Sequence, residues 1–187
     1  MVERQPPRFR GVTTFQDRLG RFSFRYPTDW YRYDLEGRDG IRVVPIAEDP
    51  DTWFTAWVVP LDQAAVAEDL EDLKLGLTEG LNQLEECQVV SESDITLGNL
   101  IKFEREFTFR EDGVVRKRKF WILYVDKWQI MLTWQGRNED EFEYWLPMAN
   151  YAFATFNLPE ALWFATDRDL FRQRAEAEGP ITGESPT

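Results

Sequence analysis

Histidine is absent from this 187-residue chain, and cysteine occurs once, at Cys87. Without histidine there is no Ser-His-Asp or Cys-His relay, no imidazole zinc site and no histidine general base. A single thiol can form neither an internal disulfide nor a thiolate metal cluster, so Cys87 reads as a small hydrophobe, buried or half-buried. Serine is confined to Ser23, Ser91, Ser93 and Ser185, none of them in a G-x-S-x-G elbow. The glycine-rich phosphate cradles G-x-x-x-x-G-K and G-x-G-x-x-G are missing as well. Any catalysis would have to run on carboxylates, Tyr, Lys or Arg, and the composition implies no cofactor and no transition metal.

Positive charge is also scarce. Lys and Arg number 22 against 34 acids, a net charge of −12, which opposes tracking a phosphate backbone or an anionic lipid surface. Neither a nucleic-acid partner nor membrane insertion is expected. No apolar run approaches the roughly 18 residues of a membrane span, and the opening MVERQPPRFRG is charged and proline-rich, so the expected location is the cytoplasm. What the chain does have is 43% hydrophobic residues, with eight Trp and fourteen Phe. That supply suits one ordinary packed core.

The local patterns divide the chain into strands and helices. Phe22, Phe24 and Tyr26 alternate with polar residues and stop at Pro27, as in a strand buried on one face, and Trp30 then folds a ring back over the strand end. A short strand at 13–16 before an Asp17–Gly20 turn, a strand at 41–46 and a strong one at 53–59 complete a first antiparallel series. The segment YDLEGRDG between them has a turn composition. From Val66 to Leu84 the leucines recur every three or four residues, giving an amphipathic helix. Within it Gly76 and Gly80 form a small-x-x-x-small step, read as close approach of the helix to a sheet. Strands at 89–95 and 99–110 follow. An Asp112-Gly113 hairpin places Glu106 opposite Lys119 and Phe103 opposite Ile122. A second hairpin at Asp126-Lys127 gives two strands apolar on both faces, so that each face must be covered or must bind something. Asn138 and Glu141 suggest a capping box opening a helix with Pro147 inside it.

The order F-x-F-x-Y-P-x-x-W, leucine-rich helix, antiparallel hairpins and a last helix ending near A-T-F-N-L-P resembles the PsbP-like superfamily. That fold is shared by the photosystem II extrinsic subunit and a Ran-binding nuclear import factor, and the resemblance runs from about Phe15 to Pro159. It implies an α+β domain, a twisted antiparallel sheet of about six to eight strands with helices packed against it. Function is not implied by it, since such proteins serve as adaptors, extrinsic photosystem subunits and secretion chaperones. The photosystem members often carry histidines implicated in metal binding, and this chain has none.

The expected organisation is a flexible arm at 1–11, the domain at 12–159, and a C-terminal helix and tail at 160–187 packing on it. Two candidate sites follow from the hairpins. Trp121, Trp128 and Trp134 share a face that either binds a protein or lies under Leu162, Trp163, Phe164, Leu170 and Phe171 of the terminal segment. Arg105, Arg116 and Arg118 share the phenylalanine-bearing face and either hold an anion or pair with acids such as Asp140 or Glu141. Acidic turns around Glu48 and Asp51 or Asp34 and Asp39 lack calcium-loop spacing and read as solvated. The preferred function is a non-catalytic protein-binding or adaptor domain, with a protein partner or a second copy of the chain. The alternatives are a carboxylate-based hydrolase and a small-ligand-binding domain.

Overall fold

The computed structural model describes residues 4–162. Nine strands and two main helices follow one another: β1 (Val12–Gln16), β2 (Ser23–Pro27), β3 (Tyr31–Asp34), β4 (Asp39–Val44), β5 (Trp53–Pro60), α1 (Leu70–Asn82), β6 (Gln88–Leu97), β7 (Leu100–Glu111), β8 (Val114–Val125), β9 (Trp128–Gly136) and α2 (Glu139–Ala154). Seven strands form one antiparallel sheet in the order β3-β4-β5-β9-β8-β7-β6, and β1 and β2 form a separate hairpin. This is the α+β class expected from the sequence. The two meanders, β3 to β5 and β6 to β9, are joined by β5 pairing with β9 across a long connection that contains α1.

The hairpin registers are those read from the sequence. Glu106 faces Lys119 and Phe103 faces Ile122, closed by Asp112 and Gly113 with φ of 51° and 76°. The glycine accepts that left-handed geometry without a Cβ penalty, as such a two-residue turn requires. At the next hairpin Val125 faces Trp128.

Because side chains alternate along each strand, the large sheet has two apolar faces. One carries Ile41, Val43, Phe54, Leu132 and Trp134 and is covered by α2 and the β1–β2 hairpin, whose Phe22, Phe24 and Tyr26 join the same core. Gly136 lets α2 start directly against the end of β9, since a Cβ there would lie 2.3 Å from the Phe142 amide nitrogen. Asn138 caps α2 by accepting from the Glu141 amide, but the Glu141 carboxylate turns away from a capping box. It takes Arg4, Arg137 and the Trp145 indole N–H instead. The other face carries Phe103, Phe107, Phe120 and Ile122 and is covered in part by α1 through Leu70, Leu73, Leu77, Leu81 and Leu84, with half-buried Cys87 packed beside them.

Two readings are corrected here. Tyr33 and Asp34, read as the start of the YDLEGRDG turn, belong to the edge strand Tyr31–Asp34; all four residues are exposed, so no buried periodicity marks it. The face that carries Trp121, Trp128 and Trp134 lies beneath α2 and the β1–β2 hairpin, and Leu162 of the terminal segment packs against the same cluster; Trp163, Phe164, Leu170 and Phe171 lie outside the described residues. The helix glycines do not mediate close packing, because a Cβ at Gly76 or Gly80 would meet nothing within 4 Å. Residues 4–11 run along α2, where Arg4 sits 3.5 Å over the Tyr144 ring, Tyr144 donates to the Gln5 carbonyl and Phe9 meets Tyr151 edge-on.

Candidate functional site

The face under α1 is organised as four cross-strand rows set by register. From one end they are Trp53, Gln135, Arg118 and Phe107; then Thr55, Thr133, Phe120 and Arg105; then Trp57, Met131, Ile122 and Phe103; and last Val59, Gln129, Tyr124 and Ile101. Successive rows lie two residues apart, so the four rows span about 20 Å. Helix α1 runs lengthwise over the β7 and β8 columns. Its N-terminal approach is fixed where the Ala65 amide donates to the Asp126 carbonyl, and its C-terminal exit where the Arg110 amide donates to the Glu85 carbonyl. Lys74 pins one flank toward β6 through a 2.6 Å ion pair with Asp94.

The opposite flank of α1 does not meet the sheet. Asp72, Gly76 and Gly80, one helical turn apart, face a groove of about 780 Å³ whose floor is the β8, β9 and β5 columns. That volume lies within the range of small-molecule sites, about 300–1,000 Å³. The lining is mainly apolar, from Trp53, Trp57, Phe107, Phe120, Ile122 and the α1 leucines. Its only carboxylates among the described residues are Glu36 and Asp72. Arg38 lies at the rim, 4.3 Å over the Trp57 ring. At the far row Gln129 donates to the Tyr124 hydroxyl at 2.8 Å, and burial pushes the Tyr124 phenol up.

The three arginines do share this face, but they are not equivalent. Arg105 is buried, with ion pairs to Asp94 at 2.6 Å and Glu92 at 3.5 Å. Arg116 is also buried, between Glu111 at 2.6 Å and Asp51 at 3.2 Å. Their acids thus come from neighbouring strands and a loop, not from Asp140 or Glu141. Arg118 has no ion pair among the described residues. Its Nε and Nη2 both donate to one neutral oxygen, Gln135 Oε1, with Nε at 2.9 Å. The guanidinium lies 4.6 Å from the Phe109 ring centre and 5.6 Å from Trp53, and burial pulls its pKa down.

The tryptophans separate too. Trp134 is fully buried, stacked on Trp30 at 5.8 Å, and its indole N–H reaches the Phe142 carbonyl at 3.3 Å. It therefore presents no surface to a partner, which corrects its place among the binding candidates. Trp121 is half-buried against Phe153 and carries Lys102 Nζ 3.3 Å over its ring. Trp128 is half-buried beneath Arg21, whose guanidinium lies 4.6 Å from the ring centre and pairs with Asp17 at 2.7 Å. The acidic turns are occupied by partners: Asp39 takes Arg21, Asp51 takes Arg116, and Asp49 accepts from Thr52.

Of Arg105, Arg116 and Arg118 only Arg118 lines the groove, and sequence reasoning did not bring Trp53, Trp57 and the glycine flank together as parts of it. The available signal was two glycines in the middle of an otherwise strong helix, a choice that costs about 1 kcal/mol each relative to Ala.

No protein-family profile matches the chain, and no curated protein sequence does. Solved structures do. Cyanobacterial PsbP from Synechocystis sp. PCC 6803 superposes with a TM-score of 0.60 at 12% identity, covering 79% of this chain and 92% of that one. LpqN of Mycobacterium tuberculosis, described as involved in cell envelope biogenesis, gives 0.56 at 16% identity, covering 80% and 91%. A protein of Bacteroides thetaiotaomicron VPI-5482 gives 0.51 at 18% identity, covering 79% of this chain and 48% of that one. The chain therefore has the PsbP-like fold expected from its F-x-F-x-Y-P-x-x-W strand and the order of its elements. Identities this low carry the fold and nothing of activity or partner.

Proposed function

We propose that the protein is a non-catalytic binding domain and that the groove beside α1 is its binding site. The observation that carries this reading is the pair Gly76 and Gly80. A helix packed tightly on a sheet would use larger residues at positions with open space, yet here two consecutive turns present hydrogen atoms to an apolar floor. The groove offers area for apolar burial rather than convergent reacting groups, which supports binding over the carboxylate-based hydrolase.

The test uses N-phenyl-1-naphthylamine, a neutral apolar fluorophore. The full-length protein should enhance its emission saturably with one site per chain. Gly80→Leu, which has room for its side chain, should weaken that binding at least about tenfold by filling the groove, while the thermal transition is kept. Saturable binding equally strong in Gly80→Leu would place the site elsewhere and sink the proposal.

A protein partner remains the second reading, supported by β6. This ten-residue strand closes one end of the sheet, is exposed throughout and displays Val90, Ile95 and Leu97. Such an edge can accept an added strand from another chain. A proline at Ser93 would remove any partner captured that way, with the groove unaffected. Among the described residues no helix is long and apolar enough to cross a membrane; we propose a cytoplasmic location, supported by the single, unpaired cysteine.

A further inference from the structure

We infer that the groove takes a long-chain carboxylate, with its head at Arg118 and its hydrocarbon chain laid along β8 beside α1. This rests on the groove being the binding site and adds the chemistry of its occupant.

The first argument is charge. A guanidinium withdrawn from water is ordinarily matched by an anion, as Arg105 and Arg116 are on the same face by two carboxylates each. Arg118, two residues along the same strand, makes no direct ion pair among the described residues: Glu111 attracts it from a distance but is held by Arg116, and its hydrogen bonds go to the neutral Gln135 oxygen. What Arg118 lacks is a carboxylate in direct contact, at the groove wall. A carboxylate supplies one unit in the planar geometry a guanidinium fork accepts. A phosphate monoester would bring close to two, leaving excess negative charge beside an apolar floor.

The second argument is polarity along the groove. Arg118 stands in the row of Trp53, at the C-terminal end of α1. Asp72, in the first turn of α1, and Glu36, in the β3–β4 turn, lie toward the other end, where Arg38 is the accompanying cation. A carboxylate is attracted to the first end and repelled from the second. The third argument is shape. Between Arg118 and Tyr124 the β8 residues facing the groove are Phe120 and Ile122, so about 20 Å of floor runs apolar from the cation to the Tyr124–Gln129 pair. A straight hydrocarbon chain fits that outline, and the bare flank of Gly76 and Gly80 leaves it room.

Calorimetric titration of the full-length protein at pH 8 compares dodecanoate, dodecanol and dodecyl phosphate below their aggregation concentrations. Dodecanoate should bind at least about tenfold more tightly than dodecanol, the margin of a charge-assisted contact in a partly dry site. Arg118→Met should bring that ratio close to one with dodecanol affinity unchanged. Arg118→Gln serves the same purpose if methionine impairs folding. A wild-type ratio near one, a ratio unaltered by loss of Arg118, or tighter binding of dodecyl phosphate than of dodecanoate would each overturn the inference. If dodecanol binds and the charge makes no difference, the groove stands and its assigned ligand falls. If neither compound binds, both fall.

Discussion

At the scale of single residues, likeness in sequence hides large differences in environment. Trp128 and Trp134 look interchangeable on an alternating strand, yet one is capped by Arg21 at the surface and the other is sealed between Trp30 and Phe142. Trp134→Ala should therefore cost about 3–5 kcal/mol in denaturant unfolding, the usual range for deleting a buried aromatic. Trp128→Ala should cost about 1–2 kcal/mol, for a half-buried ring and its cation contact. Equal losses would contradict the burial described. Asp17 is a second case. Burial raises its carboxyl pKa, but the donors from the Arg21 side chain and backbone outweigh that, and the net shift is downward. A carboxyl depressed in the folded state adds stability above its unfolded pKa, about 3.9, and loses it as pH falls through the lower folded value. Stability measured from pH 6 down to pH 2 should fall less steeply in Asp17→Asn than in the wild type. An identical slope would mean that Arg21 does not hold the carboxylate. The alternation in the sequence predicted the faces of these residues; it could not reveal which neighbours from distant segments would lie on them.

At the scale of elements, legibility followed periodicity. Strands with one buried face, such as β2 and β7, and the leucine helix announced themselves through two-residue and 3.6-residue repeats. Hairpins with tight turns fixed their own register. The short edge strand β3 had no buried face and so no pattern to read. The apolar content of the terminal segment made it one candidate cover for the tryptophan face, whereas the packing of α2 and the β1–β2 hairpin there depends on contacts far apart in sequence. The glycines of α1 were misread because close approach is the commoner reason for such a pair. Their surroundings now yield a prediction with the opposite sign. Gly76→Ala and Gly80→Ala should each stabilise the fold by about 0.5–1 kcal/mol, since both positions have helical backbone and open space. Chemical denaturation of the two variants checks this; destabilisation would show that the helix needs glycine there for packing after all.

At the scale of the whole molecule, one sheet is closed on one side by α2 and the β1–β2 hairpin and left partly open on the other beside α1. The fold was legible because its order of elements and its P-x-x-W step survive in sequence, whereas the groove arises only when β5 pairs with β9 and brings Trp53 and Trp57 beside the hairpin. Amide-resolved NMR of the full-length protein, titrated with N-phenyl-1-naphthylamine, tests the central claim most directly. Shift changes should concentrate in α1 from Leu73 to Leu84 and in the strand rows from Trp53 and Arg118 to Trp57 and Ile122. Changes centred on β6 or on α2, with the α1 groove silent, would contradict the assignment of this groove as the binding site.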